Sequence, residues 1–339
     1  MPRSARIDAP GVLHHVIIRG IEKRKIFRKT ADQHDFIDRL EQLVPATRTA
    51  CYAWALMSNH AHFLFRSGPA GMAKLMRRLL TGYAIGFNRR YKRHGQLFQN
   101  RYKSIICQED AYLKELVRYI HLNPLRAGLV KDIAGLQKYA FCGHGVLTGA
   151  RTCNWQDDPY VLKYFADTTA QARKRYLAYV KAGLDKGRRP ELVGGGLVRS
   201  LGGWAAVKKL RKKGMDRVKA DQRILGESDF VLSMLKRADQ RLERSYALKN
   251  QGVDLKAVAE KAARLFDIDA DEIFMKSRIK RRADARGLYC HWAVAELGHS
   301  LSDLAGQLNM TPAGVGYAVQ RGETIAREHG YDLLEKVSE

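Results

Sequence analysis

The sequence predicts an α+β fold: a ferredoxin-like antiparallel sheet with helices packed on one face, followed by an all-α C-terminal region. Extended runs rich in β-branched and aromatic residues stand at positions 13–18, 52–57, 60–65 and 103–107. Two stretches of apolar residues at helical spacing fall between them, which makes the order βαββαβ. Beyond about residue 150 only helical spacing recurs.

The first strand is Leu13-His14-His15-Val16-Ile17-Ile18, stopped by Arg19-Gly20. Thr30 and Gln33 have the spacing of a capping box, which predicts a helix start there. Phe36, Ile37, Leu40 and Leu43 carry its apolar stripe, and Pro45 is expected to end it. Strands 52–57 and 60–65 are joined by the short Ser58-Asn59 break. Gly68-Pro69 interrupts the chain, and Met72, Leu75, Met76, Leu79, Tyr83 and Phe87 then recur as one helical stripe. The fourth strand follows at 103–107.

Length and charge set the organisation and the partner. A chain of 339 residues predicts more than one domain. The expected boundaries are 1–145, 146–250 and 251–339. A formal charge of +25 calls for a polyanion, since phosphate backbones attract such a surface through counterion release. No apolar run reaches the roughly 18 residues of a membrane span. The five cysteines are scattered without a Cys-x-x-Cys pair, against both a disulfide framework and a zinc finger. A cytoplasmic, nucleoid-associated, nucleic-acid-binding protein is expected.

Two features carry chemistry. His60 and His62, two residues apart on a strand, project from one face, with Ala61, Phe63 and Phe65 on the other. Neighbouring imidazoles suit a divalent metal and leave positions for substrate oxygens; the structural alternative is a pair of partly buried core histidines. Residues 71–110 hold nine basic side chains and two acidic ones, interleaved with Tyr83, Phe87, Tyr91, Phe98 and Tyr102. Tyr83 and Phe87 belong to the core stripe. The denser segment that follows, with Arg89, Arg90, Lys92, Arg93, Arg101 and Lys103, suits single-stranded nucleic acid.

Three stretches in series resemble one family. They are Met57-Ser58-Asn59-His60-Ala61-His62-Phe63-Leu64, Gly95-Gln96-Leu97-Phe98-Gln99-Asn100-Arg101-Tyr102-Lys103-Ser104 and Tyr119-Ile120-His121-Leu122-Asn123-Pro124. The family is the single-tyrosine HUH transposases, among them the REP-associated tyrosine transposases. The resemblance implies a metal-dependent single-stranded DNA endonuclease and strand transferase acting on hairpin-forming repeats. Its nucleophile would be Tyr102, with Tyr91 as second choice, and its product a 5′-phosphotyrosine link with a free 3′-hydroxyl. His60 and His62 would hold Mg²⁺ or Mn²⁺. The family's third ligand stands four positions after the tyrosine, which counted from Tyr102 is Ile106 and cannot ligate. Gln108, Glu109, Asn123 and water stay open as its replacement. His14 and His15 are a further possibility for that ligand, His15 being read rather as structural or phosphate-contacting, and His121 and Asn123 are read as helix-terminating or near the site. Homodimer and monomer are both compatible with the resemblance. The competing expectation is a non-catalytic, sequence-specific DNA-binding regulator on the same fold.

Residues 176–184 read as helical and 185–190 as a linker. Gly194-Gly195-Gly196 lacks the Gly-Lys-Ser/Thr of a phosphate loop and reads as a turn; Gly202-Gly203-Trp204 leads into a basic helix at 207–213. Ser228 has the character of a helix cap. Asp267-Ile268-Asp269-Ala270-Asp271 mimics a calcium loop, but Glu272 and Arg278 stand where Gly and Glu are needed. The last third reads as a helix-turn-helix module. It has a helix through Leu255, Val258, Ala262 and Leu265, then a basic cluster at 276–286 containing Arg281 and Arg282. Ser300 with Asp303 caps the next helix, and Thr311-Pro312 open a final one. The module resembles the DNA-binding domain of the bacterial replication initiator DnaA. That resemblance places Thr311, Ala313, Gly314, Tyr317, Gln320 and Arg321 on a groove-facing helix.

Overall fold

Strand β1 (Leu13–Arg19) is the axis of the sheet. It pairs antiparallel with β3 (His60–Arg66) on one side and with β4 (Lys103–Cys107) on the other. Strand β2 (Ala50–Met57) adds antiparallel to β3, and the two-residue β5 (Ile224–Leu225) adds parallel to β4. The order β2-β3-β1-β4 is the ferredoxin-like arrangement, extended by β5 at one edge. These features come from a computed structural model that describes residues 7, 9–69, 71–187, 189–193, 221, 223–277 and 279–334. The glycine runs at 194–196 and 202–203, the basic stretch 207–213 and Arg278 lie outside the described residues.

Helices α1 (Thr30–Ala46) and α2 (Gly71–Arg90) cover one face of the sheet. Phe36, Leu40 and Leu43 of α1 and Met72, Leu75, Met76, Leu79, Tyr83 and Phe87 of α2 pack against Val16, Ile18, Ala61, Phe63 and Phe65. Each fully buried aromatic or aliphatic side chain there is worth about 1.5–3 kcal/mol by transfer. Asp32, and not Gln33, starts α1: its carboxylate accepts from the backbone N–H groups of Arg28 and Lys29 at 2.8 and 3.0 Å. Pro45 sits inside the last turn of α1 instead of ending it.

Helices are not confined to one face. Leu113, Leu116, Val117 and Ile120 of α3 (Glu109–His121) pack against Leu13, Ile17, Ala55, Leu64 and Ile105 on the opposite side. Behind α3 lies α4 (Thr169–Lys181), whose buried Tyr176 hydroxyl is 2.7 Å from both His121 Nδ1 and His144 Nδ1. Glu115 accepts from Arg118, Tyr179 and Arg189, which ties α3 to the segments that follow it. Apolar layers on both faces explain why β1 is buried at six of its seven positions.

The chain divides into two compact units, Met1–Ala238 and Asp239–Glu339, with the boundary inside helix α5 (Ser228–Asn250). In the second unit α6 (Leu255–Leu265) is capped by Asp254, which accepts from Ala257 N at 2.9 Å. The mimic of a calcium loop is a 3₁₀ turn, Ala270–Ile273, closed by a reciprocal Asp269–Glu272 cap. α7 (Lys280–Ala295) is followed by α8 (Leu301–Gln307), where Ser300 and Asp303 satisfy each other's backbone N–H. Thr311 caps α9 (Pro312–His329) by accepting from Gly314 N at 3.1 Å.

Helices α7 and α9 meet backbone to backbone at Gly287 and Gly322. A Cβ on Gly322 would lie 1.9 Å from the Gly287 carbonyl oxygen, so the helices must part to admit it. Gly306, on α8, faces open space. Gly322→Ala is therefore expected to lower the unfolding free energy of the second unit by about 1–3 kcal/mol through overpacking. Gly306→Ala is expected to be neutral or to stabilise by up to ~1 kcal/mol, because Ala is the better helix former. Denaturant titration of the two variants compares them; equal midpoints would refute the close-approach account.

Candidate active site

The register of β1 decides which side chains share a face. His15 pairs with Leu64, Ile17 with His62 and Arg19 with His60. Successive side chains alternate, so His15, Ile17, Arg19, His60 and His62 all project toward α3. His60 and His62 stand with ring centroids 5.4 Å apart, as neighbours on one face of β3. Ala61, Phe63 and Phe65 are in the core on the other face.

A cavity of about 650 Å³ opens above these rings. It is lined by His60, His62 and Asn59 from the β2–β3 hairpin, by Arg19 and Lys23, and by Tyr119, Asn123, Arg126 and Arg189 from α3 and beyond. Four of its described lining residues are basic and none is a carboxylate. Tyr119 and Asn123 are four residues apart, so they fall on one side of the helical path, while His121 points the other way to Tyr176. The Tyr119 ring is 5.8 Å from His62 and 5.9 Å from His15, and the Arg126 guanidinium carbon is 5.7 Å from the Tyr119 ring centre. Buried polar atoms face this region without a hydrogen-bond partner: Asn123 Nδ2, and Arg126 Nε and Nη1. Groups left in that condition are costly unless a ligand pairs them.

The electrostatics favour neutral imidazoles. Burial, with help from Arg19, pushes His60 down to about 4. Burial also holds His62 well below the usual histidine range, and His15 is brought to about 4 chiefly by burial. His60 Nδ1 is 2.7 Å from the Asn59 side-chain oxygen, an acceptor, so Nδ1 carries the proton and Nε2 keeps its lone pair. A neutral ring with a free lone pair and a hydrogen-bonded second nitrogen is the state a metal ligand requires. Among the described residues no group of three or more His, Cys, Asp and Glu could by itself hold an ion. The donor set is thus two imidazoles, the Asn123 amide and whatever oxygens a substrate brings. That set fits a divalent cation with open positions.

Tyr102 is not brought to this site. Lys103 pairs with Ile17 and therefore points to the histidine side, which sends Tyr102 to the opposite face. There it is 9% exposed, in the core formed with α1 and α2. The assignment of the nucleophile to Tyr102 is corrected on that ground: the sheet itself separates its hydroxyl from the histidines. Tyr91 is on that side too, with its hydroxyl 2.7 Å from Asp32. The residue sequence reading passed over is Tyr119. The signal was present in Tyr119-Ile120-His121-Leu122-Asn123: a polar residue four positions after a tyrosine, the spacing that failed when counted from Tyr102.

The basic segment divides in the same way. Arg90 is paired with Asp32 and Asp35, which ties α2 to α1. Arg93 is hydrogen-bonded to Asn88 and to the Gln96 carbonyl. Arg89, Lys92 and Arg101 are exposed, and Lys103 reaches the Val193 carbonyl. In the second unit Thr311, Gln320 and Arg321 are exposed along α9, Tyr317 is 75% exposed, and Arg321 lies 3.9 Å from Asp284. Arg281 is 3.5 Å from Asp267, and Arg282 is paired with Glu272.

The family model described as Transposase IS200 like matches residues 10–123. No curated protein matches the chain. Among solved structures, that of a REP-associated tyrosine transposase bound to a REP hairpin is similar over 44% of this chain and 87% of that one, at 17% identity and a TM-score of 0.37. No helix among the described residues is long and apolar enough to cross a membrane.

The buried rings set an acid limit on the first unit. His15, His60 and His144 are each held near 4 in the fold, mainly by burial, whereas an unfolded histidine protonates near 6.5. Their contribution is complete above about 6.5 and is lost as the pH falls from there toward 4, at about 1.4 kcal/mol per ring per pH unit. Denaturant midpoints measured between pH 7 and pH 4 are expected to fall steadily. A flat profile over that window would contradict the neutral, buried assignment.

Proposed function

We propose, from the match of residues 10–123 to the IS200-like transposase family model, that the chain is a single-stranded DNA endonuclease and strand transferase whose nucleophile is Tyr119. The observation that carries the proposal is the convergence of Tyr119, His60, His62 and Asn123 on one cavity whose described lining is basic and holds no carboxylate.

The chemistry follows from the lining. The Tyr119 oxygen attacks phosphorus; an O–P bond forms to the phenol and the bond from phosphorus to the 3′-oxygen breaks. The phenol proton is given up and the departing 3′-oxygen takes one, leaving a 5′-phosphotyrosine and a free 3′-hydroxyl. The covalent link conserves the bond energy, so rejoining to another 3′-hydroxyl needs no nucleotide cofactor. Mg²⁺ or Mn²⁺ on His60, His62 and Asn123, when bound, would polarise the scissile phosphate. Arg126 and Arg19 supply positive charge where phosphate oxygens would lie, and Arg126 has buried N–H donors to offer them. Exposed Arg89, Lys92 and Arg101 suit the flanking single strand. Nucleophile and histidines come from one chain, so the site needs no second copy.

For the second unit we propose a duplex-reading role. The capped α8–turn–α9 pair presents Thr311, Tyr317, Gln320 and Arg321 outward, as a groove-entering helix requires. A hairpin substrate offers the duplex and single-stranded forms together.

Incubation with Mn²⁺ and a hairpin-bearing single strand is expected to give a covalent protein–DNA adduct on denaturing gels. Tyr119→Phe should abolish the adduct and Tyr102→Phe should retain it; the reverse pattern overturns the assignment. A gel shift with no adduct in the wild type would favour the non-catalytic regulator. Separately, Gln320→Ala and Arg321→Ala are each expected to weaken hairpin binding by about 1–3 kcal/mol without abolishing the adduct. Unchanged binding in both would remove the groove-facing role of α9.

A further inference from the structure

His15 is buried in the sheet and has both ring nitrogens engaged. Its Nδ1 is 3.0 Å from the Leu192 carbonyl oxygen, and its Nε2 is 2.9 Å from His62 Nδ1. A carbonyl oxygen can only accept, so His15 Nδ1 must carry a proton. With full burial disfavouring a second proton on the ring, His15 Nε2 is an acceptor. His62 Nδ1 then has to be the donor, which leaves His62 Nε2 with its lone pair. The orientation thus propagates in one direction, from the Leu192 carbonyl through His15 to His62. It ends in the protonation pattern that Asn59 imposes on His60 directly.

We infer that His15 is a positioning residue that locks His62 in the Nδ1–H tautomer and so presents its Nε2 lone pair to a divalent cation. The inference deepens the metal-site reading and rests on it. Three features show that the arrangement is specific. His15 and His62 are diagonal neighbours across the β1–β3 pair, with rings stacked at 5.2 Å and 29° between planes. Tyr119 packs edge-on against both rings, so rotation of either would disturb the nucleophile as well. The carbonyl that starts the relay belongs to residue 192, well beyond the matched segment 10–123. The later part of the first unit therefore reaches back to set the chemistry of the earlier part. Neighbouring His14, on the opposite face, contacts Ser104 instead and has no share in the relay.

The test has a metal-free arm and a metal arm, both on the full chain. Long-range ¹H–¹⁵N correlation of the imidazoles, recorded without metal, is expected to show His62 protonated at Nδ1. In His15→Phe, which keeps ring volume but removes the acceptor, His62 should redistribute toward the Nε2–H form. His62 already protonated at Nε2 in the wild type, or unmoved in His15→Phe, overturns the inference. In the second arm Mn²⁺ titration followed by electron paramagnetic resonance is expected to show affinity lowered about 10–100-fold in His15→Phe, the range found for loss of such outer partners. His15→Gln, whose amide oxygen can still accept from His62, is expected to recover part of the loss and guards against a folding defect in the Phe variant. Mn²⁺ affinity unchanged in His15→Phe overturns the positioning role even where the tautomer moves. If Mn²⁺ binding is the same in wild type and a His60→Ala/His62→Ala variant, the metal-site reading itself fails, while the NMR arm still reports on the relay.

Discussion

The register of β1 between β3 and β4 governs this structure. Ile17 opposite His62 and opposite Lys103 sets the alternation of three strands at once. A shift of one residue in either pairing would exchange every side chain across the sheet, moving imidazoles into the α1–α2 core and core aromatics into the cavity. The register is held from both sides, since apolar layers cover both faces. A sheet with one wet face would tolerate a histidine pair only as surface decoration; between two packed layers the pair is desolvated, neutral and directed.

That burial links packing to chemistry through α3. The helix brings Leu113, Leu116, Val117 and Ile120 down onto the sheet, and this orientation turns Tyr119 and Asn123 toward the histidines. His121, on the far side, meets Tyr176. The same contacts that bury the core therefore aim the phenol, and the Glu115 cluster with Arg118, Tyr179 and Arg189 steadies the helix from outside. Anchoring by segments beyond residue 123 means that the matched domain relies on chain that follows it.

Local periodicity made much of the fold legible. The stripes of α1 and α2, the four long strands, the shared face of His60 and His62, and the Ser300 and Thr311 caps all depend on neighbours a few residues away. What was not legible depends on partners far along the chain. Tyr102 has the right company in sequence, but its face is set by the pairing of Lys103 with Ile17, far back along the chain. Arg90 reads as a free cation until α1 folds back to supply Asp32 and Asp35. Tyr119 was readable in part, because its four-residue interval to Asn123 is local. The side of α3 that meets the sheet is a tertiary fact.

The makeup of the cavity wall has one more consequence. Enzymes that keep a resident dication usually hold it with carboxylates, whose charge offsets the ion. Here the described wall is cationic and the candidate ligands are uncharged, so a lone dication meets repulsion. A phosphodiester arriving with the ion supplies the missing anion, and each makes the other's entry easier. Such a pocket would take up its ion only together with a strand and give it up when the strand departs.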